Sequence, residues 1–212
     1  MQTSYKDWAE MKSAPLQRAA GQLWMKRTRP CALAPLILMT DPTVHSDPIA
    51  AAENMPVGSA IIYRHFGAEN RHEITEKLRQ KTFERKQQLL IGNDPELAIE
   101  VGADGVHFTR DANLTAPTIW RNRCPEWTIT MAGLKGDYTA YLRDLSVLDA
   151  LFVSSIFESS SPSAGMPIGA ERLQGICREL AAPIIALGGV TPKRASELTD
   201  SGVAGLSGRF IR

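Results

Sequence analysis

The sequence carries almost no charge of either sign in excess: 24 Lys and Arg stand against 23 Asp and Glu, a formal net charge of +1. That balance removes the broad positive field that binding to a phosphate backbone needs, so nucleic acid is excluded as the main partner. Cysteine is scarce as well. Cys31, Cys124 and Cys177 lie far apart with no C-x-x-C spacing, which encodes neither a zinc cluster nor a dithiol redox centre and fits a reduced, cytoplasmic compartment. Long apolar runs are missing too. Nothing approaches the roughly 20 residues that span a bilayer, and the N-terminus lacks the apolar stretch of a secretory signal, so no membrane partner is expected. The Asn113-Leu114-Thr115 sequon then reads as chance.

What remains is an ordinary globular composition, 43% apolar and 22% charged over 212 residues. That length suits one domain with a substantial core and argues against a second. Residues 1–34 mix apolar and basic positions at loosely helical spacing, with Pro15 interrupting any single long helix. They read as a helical extension, and 35–212 as the main domain. Asp7 and Glu10 argue against an Arg-rich targeting peptide there. A helix packed over one end of the domain is the plainer alternative.

From Pro35 onward, short β-rich runs recur at 36–40, 60–65, 88–92, 105–108, 127–132, 150–155, 183–188 and 204–208. Helical patterns fill most of the gaps. "EITEKLRQKTFERKQ" sets charges on one side, and "GAERLQGICRELA" places Leu173, Ile176, Cys177 and Leu180 at spacings of three and four. Strand, helix, strand repetition implies parallel pairing through right-handed crossovers. Eight such units predict an α/β fold closed as a (β/α)8 TIM barrel. The barrel is compact, since 35–212 offers 178 positions where roughly 250 are typical. Sequence after the eighth run is too short for a covering helix, a place the N-terminal extension is expected to fill.

In such a barrel the ligand site lies at the C-terminal ends of the strands. Asp41, then Arg64 and His65, then Asn93 and Asp94, then His107 to Asp111, then Gly188 and Gly189 all follow strand ends and should ring one mouth. "PIIALGGVTPKRASEL" is the clearest local signal: a buried strand, two glycines, and a helix opening near Thr191 with Pro192 in its first turn. Glycines let backbone N–H groups approach a phosphate, although paired glycines also serve as a plain strand-to-helix turn. Comparable alternatives stand for the others. Arg64 is a ligand contact or a structural ion-pair partner. Asp94 is a metal ligand or the cap of a helix beginning at Pro95, and Asp111 a metal ligand or a solvated carboxylate. His65 and His107 are catalytic or packing residues. Ser159 and Ser161 donate to phosphate oxygens or belong to a loose serine loop.

The order of "LILMTD", "LLIGNDPELAIEVGADGVHF", "DALFVSSIFESSSPSAGMPIG" and "PIIALGGVTPKRASELTDSGVAGL" resembles the thiamine-phosphate synthase family, together with the related thiazole tautomerases of the same superfamily, over about residues 36–212. The resemblance implies a transferase of thiamine biosynthesis that joins hydroxymethylpyrimidine diphosphate to thiazole phosphate and releases diphosphate with Mg²⁺. It implies small phosphorylated substrates and leaves a homo-oligomer open. On this resemblance Arg64 faces the diphosphate with Asn93, Ser159 and Ser161, Gly188 and Gly189 hold the thiazole phosphate, and Asp94 and Asp111 hold Mg²⁺.

Several positions depart from the family pattern. The polar group that ends the family's second strand survives only as Arg64 in "IIYRHF", and the Asn93-Asp94 pair is shifted by one residue. After "GVH" the sequence reads "TRDA", so the expected metal carboxylate falls on Ala112, next to Asp111. Pro162 replaces a diphosphate-binding Lys, "TMAGL" lacks the usual Ser and His, and "GLSGRFIR" lacks a familiar Ser. Two other readings therefore stay beside the first: a thiazole tautomerase-like isomerase using His65 or His107 as general acid or base, and a noncatalytic protein that binds a phosphorylated metabolite and regulates a partner.

Overall fold

The computed structural model describes residues 15–109, 114–133, 145–159, 161 and 164–210. Eight parallel strands form one closed barrel in sequence order. They are β1 (Leu36–Met39), β2 (Ala60–Tyr63), β3 (Gln88–Gly92), β4 (Gly105–Phe108), β5 (Thr128–Ala132), β6 (Ala150–Val153), β7 (Ile184–Leu187) and β8 (Gly205–Gly208). Closure comes from β8 pairing with β1, Leu36 beside Leu206 and Ile37 beside Ser207. This is the expected (β/α)8 TIM barrel, and each expected strand is present, within two residues at either end.

Strand alternation sorts the side chains into two cores. Ile37, Met39, Ile62, Leu90, Phe152 and Ile185 fill the lumen, with Leu33 in the same cluster. Leu36, Leu38, Ile61, Leu89, Val106 and Ile129 point outward and pack in the shell with helix residues such as Leu78, Leu97, Leu173 and Ile176. Burial on both faces is why these runs read as continuously apolar rather than alternating.

Three of the outer helices begin at a side-chain cap. Among the described residues the outer helices are α1 (Pro15–Lys26), α2 (Pro48–Asn54), α3 (Arg71–Glu84), α4 (Pro95–Glu100), α5 (Thr115–Arg123), α6 (Gly169–Glu179) and α7 (Pro192–Ala195). Asp47, Asp94 and Thr191 each cap a helix whose first turn carries proline, the side chain accepting backbone N–H groups. At the opposite ends of the strands a paired device recurs. Asp104 accepts Arg79 at 2.8 Å and the Leu89 N–H at 2.8 Å. Asp149 accepts Arg121 at 2.5 Å and the Ile129 N–H at 2.6 Å. Each carboxylate thus ties an outer helix to the start of a neighbouring strand, on the face where barrels keep stability rather than chemistry.

Helix α1 starts at Pro15 and lies against α7, β8 and β1. Ala19, Ala20 and Leu23 form its buried side, and Lys26 reaches Asp200 at 2.9 Å. It covers the β8–β1 seam, the position a helix following β8 would occupy.

Candidate functional site

A cavity of about 700 Å³ opens at the C-terminal ends of the strands, the end where barrel enzymes build their sites. Its lining joins Asp41 after β1, Arg64 after β2, Ser154, Ser155, Ser159 and Ser161 after β6, Gly188 and Gly189 after β7, and Ser207 and Arg209 at β8. Six of the residues expected at the mouth or the site therefore share one space: Asp41, Arg64, Ser159, Ser161, Gly188 and Gly189.

Arg64 is set by its strand neighbour. Its backbone N–H donates to Thr40 Oγ1 at 2.9 Å and its Nε to the Thr40 carbonyl at 3.0 Å. These bonds leave the two terminal nitrogens without a hydrogen-bonded partner among the described residues. Burial holds the guanidinium below its ordinary pKa, Asp41 pulls it back up, and Arg209 adds to the depression. Two guanidiniums at one mouth favour an anion between them.

Asp41 and Arg209 form an ion pair of 3.0 Å across the β8–β1 seam. The other Asp41 oxygen accepts the Thr43 backbone N–H at 3.0 Å and its hydroxyl at 2.6 Å. Burial would raise the Asp41 carboxyl, but the bonds from Thr43 and Arg209 outweigh it and hold the pKa below the ordinary value. The carboxylate is ionised and committed.

The glycine pair does what its backbone requires. Gly188 and Gly189 have φ of +92° and +67°, and a Cβ on Gly189 would stand 2.3 Å from the Glu158 carbonyl oxygen. Only glycine permits that approach between the β7 and β6 loops, which gives the pair a structural duty and brings bare backbone to the cavity. The Phe157 N–H donates to the Gly188 carbonyl at 3.0 Å, fixing the same contact. Helix α7 opens at Thr191 as expected.

Other expected residues lie elsewhere. Asn93 adopts φ +54°, and its amide bonds the Thr109 backbone N–H and hydroxyl, both at 3.1 Å, so it pins the β3 and β4 loops together. Asp94 caps α4 by accepting the Leu97 N–H at 3.1 Å, and its second oxygen pairs with Arg71. His107 is inside the lumen, 2.9 Å from Thr130 Oγ1 and edge-on to Phe152. Burial, and then Arg64, push its pKa down to about 3. His65 is 6% exposed and stacks on Tyr63, and burial followed by His45 lowers its pKa. Its Nε2 is buried without a hydrogen-bond partner among the described residues. Asp111 lies outside the described residues.

The lining also contains residues that reading by strand ends missed, notably Ser154, Ser155, Ser207 and Arg209. A signal for the last two was available. Ile37 and Leu187 are luminal neighbours of Ser207, and a period of two then turns Arg209 inward as well.

The chain matches the sequence profile of thiamine monophosphate synthase over residues 36–209. A thiamine-phosphate synthase of Moorella thermoacetica is 30% identical over 138 residues, 64% of either chain. The aligned part thus spans just under two thirds of that relative. A thiamine-phosphate synthase of Alcanivorax borkumensis is 28% identical over 180 residues, 81% of this chain and 82% of the relative. Among solved structures, a thiamine phosphate pyrophosphorylase from Pyrococcus furiosus superposes with a TM-score of 0.66 at 24% identity, covering 82% of this chain and 84% of that one. At that identity the superposition speaks for the fold.

Proposed function

The chain belongs to the thiamine monophosphate synthase family, and from that premise we propose that it is a transferase joining hydroxymethylpyrimidine diphosphate to thiazole phosphate. The observation that carries this reading is the shared cavity, with Arg64 on one side and Gly188 and Gly189 on another. In the reaction a bond forms from the thiazole nitrogen to the pyrimidine methylene carbon, and the carbon–oxygen bond to diphosphate breaks. The leaving group accumulates negative charge, so cations and N–H donors aimed at it lower the barrier. Arg64 offers two nitrogens for that purpose, the serines of the β6 loop offer hydroxyls, and the glycine turn offers open backbone to the thiazole phosphate.

Magnesium enters this reading from the family resemblance. Mg²⁺ needs one or two carboxylates beside substrate phosphates. Asp94, however, is engaged by Arg71 and by the helix cap, and Asp41 by Thr43 and Arg209. Among the described residues no group of three His, Cys, Asp or Glu could hold a metal ion. The described carboxylates therefore do not fit a magnesium site, and no step is assigned to the ion. The test is incubation of the protein with both substrates, with Mg²⁺ and with a chelator. Thiamine phosphate and diphosphate should form in equal amounts, and absence of both above a no-enzyme control rejects the transferase.

A second reading is favoured by the same engaged carboxylates. A thiazole tautomerase-like isomerase needs the phosphate cradle and an acid or base, but no metal for diphosphate. Its candidate, His65, has an Nε2 without a partner among the described residues but stacks on Tyr63 outside the cavity lining, which leaves the transferase the better-supported reading. Isomerisation of thiazole phosphate that is lost in His65→Gln would support it. Tight binding of thiazole phosphate with no turnover of either kind would instead point to a noncatalytic metabolite-binding protein.

A further inference from the structure

The ion pair at the cavity rim is asymmetric in how its two partners are held. Asp41 is fixed from behind: Thr43 gives one oxygen two hydrogen bonds, and the Asp41 backbone N–H donates to His45 Nδ1 at 3.1 Å. Arg209 has a single bond at its tip, Nη1 to Asp41 Oδ2 at 3.0 Å, and no other hydrogen-bonded partner for its guanidinium among the described residues. An anchored acceptor therefore holds a donor that can turn away while the acceptor stays in place.

A second observation lies two residues earlier on the same strand. Ser207 is wholly buried and lines the cavity, yet its Oγ has no hydrogen-bond partner among the described residues. Buried hydroxyls are nearly always paired, and one left open beside a cavity is commonly satisfied by what the cavity holds. Gly188 and Gly189 continue the same arc from β7. Loops after strands seven and eight often make the phosphate site of a barrel, and here that arc has gained a cation.

We propose that Arg209 is an exchangeable anion-binding residue, held by Asp41 until substrate enters and then transferred to a phosphoryl group of the substrate. The inference rests on the reading of this cavity as a site for phosphorylated substrates, and it assigns a binding residue that the family resemblance does not supply. A guanidinium with one bond to a carboxylate can make two parallel bonds to a phosphoryl group, so the exchange gains contacts. Arg64 and Arg209 are the lining cations and Asp41 the lining carboxylate among the described residues. Asp41 therefore competes with substrate for Arg209 and also repels it.

That competition gives the two partners of one salt bridge opposite effects. Calorimetric titration of inorganic pyrophosphate into the full chain, at fixed ionic strength, reads the effect without requiring turnover. Arg209→Gln should weaken binding by about tenfold, the loss expected for a charge-assisted hydrogen bond. Arg209→Lys should fall between Gln and wild type, and Asp41→Asn should bind more tightly than wild type. Equal weakening by Asp41→Asn and Arg209→Gln would mark the pair as merely structural and overturn the proposal, as would unchanged binding in Arg209→Gln. Thermal unfolding of each variant checks the fold. Should Asp41→Asn fail to fold, the order wild type, Lys, Gln at position 209 decides, and any other order overturns the proposal. Absence of thiamine phosphate formation alongside the opposed effects would reject the transferase reading and leave this one standing.

Discussion

His107 Nδ1 and Thr130 Oγ1 share a hydrogen bond of 2.9 Å in the middle of the barrel lumen, directly below the cationic mouth. Burial is the main reason the imidazole pKa falls from 6.5 to about 3, and Arg64 adds to it. The unfolded chain would bind a proton at about 6.5, so between the two values the unfolded state holds the extra proton. Stability contributed by neutral His107 is complete above about pH 6.5 and is lost as pH falls, at about 1.4 kcal/mol per pH unit, levelling off below about 3. Urea unfolding of wild type and His107→Gln from pH 7.5 to pH 4 checks this: the wild-type curve should fall more steeply. Parallel curves would show that His107 is protonated in the folded protein.

Asp94 divides a structural duty from a metal duty. With one oxygen capping α4 and the other paired to Arg71, Asp94→Ala should cost about 1–3 kcal/mol, summing a lost cap with a partly exposed ion pair. Asp94→Asn should cost less, because asparagine also caps helices. The expected outcome is lower thermal stability in the order wild type, Asn, Ala, with the magnesium dependence of product formation unaltered. A fall in magnesium affinity without a fall in stability would assign Asp94 to the ion instead.

The architecture was readable because barrel strands are buried on both faces, so runs such as Leu36–Met39 and Ile184–Leu187 stand out between amphipathic segments like Gly169–Glu179. The glycine pair was readable because its φ values admit little else. Arg64 was found by its place after a strand. Placement after a strand does not by itself say which of two adjacent residues faces the lumen; that requires the phase of the strand's alternation. Arg64 and His65 are adjacent, yet alternation turns the first into the cavity and the second outward onto Tyr63. Asn93 and Asp94 follow β3 as expected, but neither is part of the cavity lining: one serves a loop clamp and the other a helix cap. Alternation along β8 points Arg209 inward, but its pairing with Asp41, 168 positions away, exists only once β8 closes on β1.

Arg64 should affect substrate affinity far more than stability. Its terminal nitrogens hold no described partner, so replacing it removes contacts to the substrate rather than contacts within the fold. Arg64→Gln should raise KM for the pyrimidine diphosphate by about tenfold or more and lower kcat as well, since charge on the leaving diphosphate is greatest in the transition state. Arg64→Lys should restore only part, lacking the planar fork. Steady-state kinetics with the diphosphate substrate varied at saturating thiazole phosphate is the measurement. Unchanged kcat/KM in Arg64→Gln would remove Arg64 from the site.

The helix at the β8–β1 seam packs against the strand that leads to Arg209, and its contribution is separable from chemistry. Leu23 is 1% exposed and belongs to the outer core, while α1 as a whole covers β8, β1 and α7. Leu23→Ala should therefore cost about 2–5 kcal/mol, the range for a large-to-small change at a buried site. Removing residues 1–30 should cost more, because it uncovers the seam that closes the barrel. If α1 acts as a cover and nothing else, Leu23→Ala will lower the unfolding temperature and leave pyrophosphate affinity at 15 °C, far below that temperature, close to wild type. Equal stability of the truncated and full chains in urea would show that the seam needs no cover. Loss of pyrophosphate binding in a Leu23→Ala protein that is still folded would show that α1 also sets the position of Arg209, through the β8 backbone it packs against.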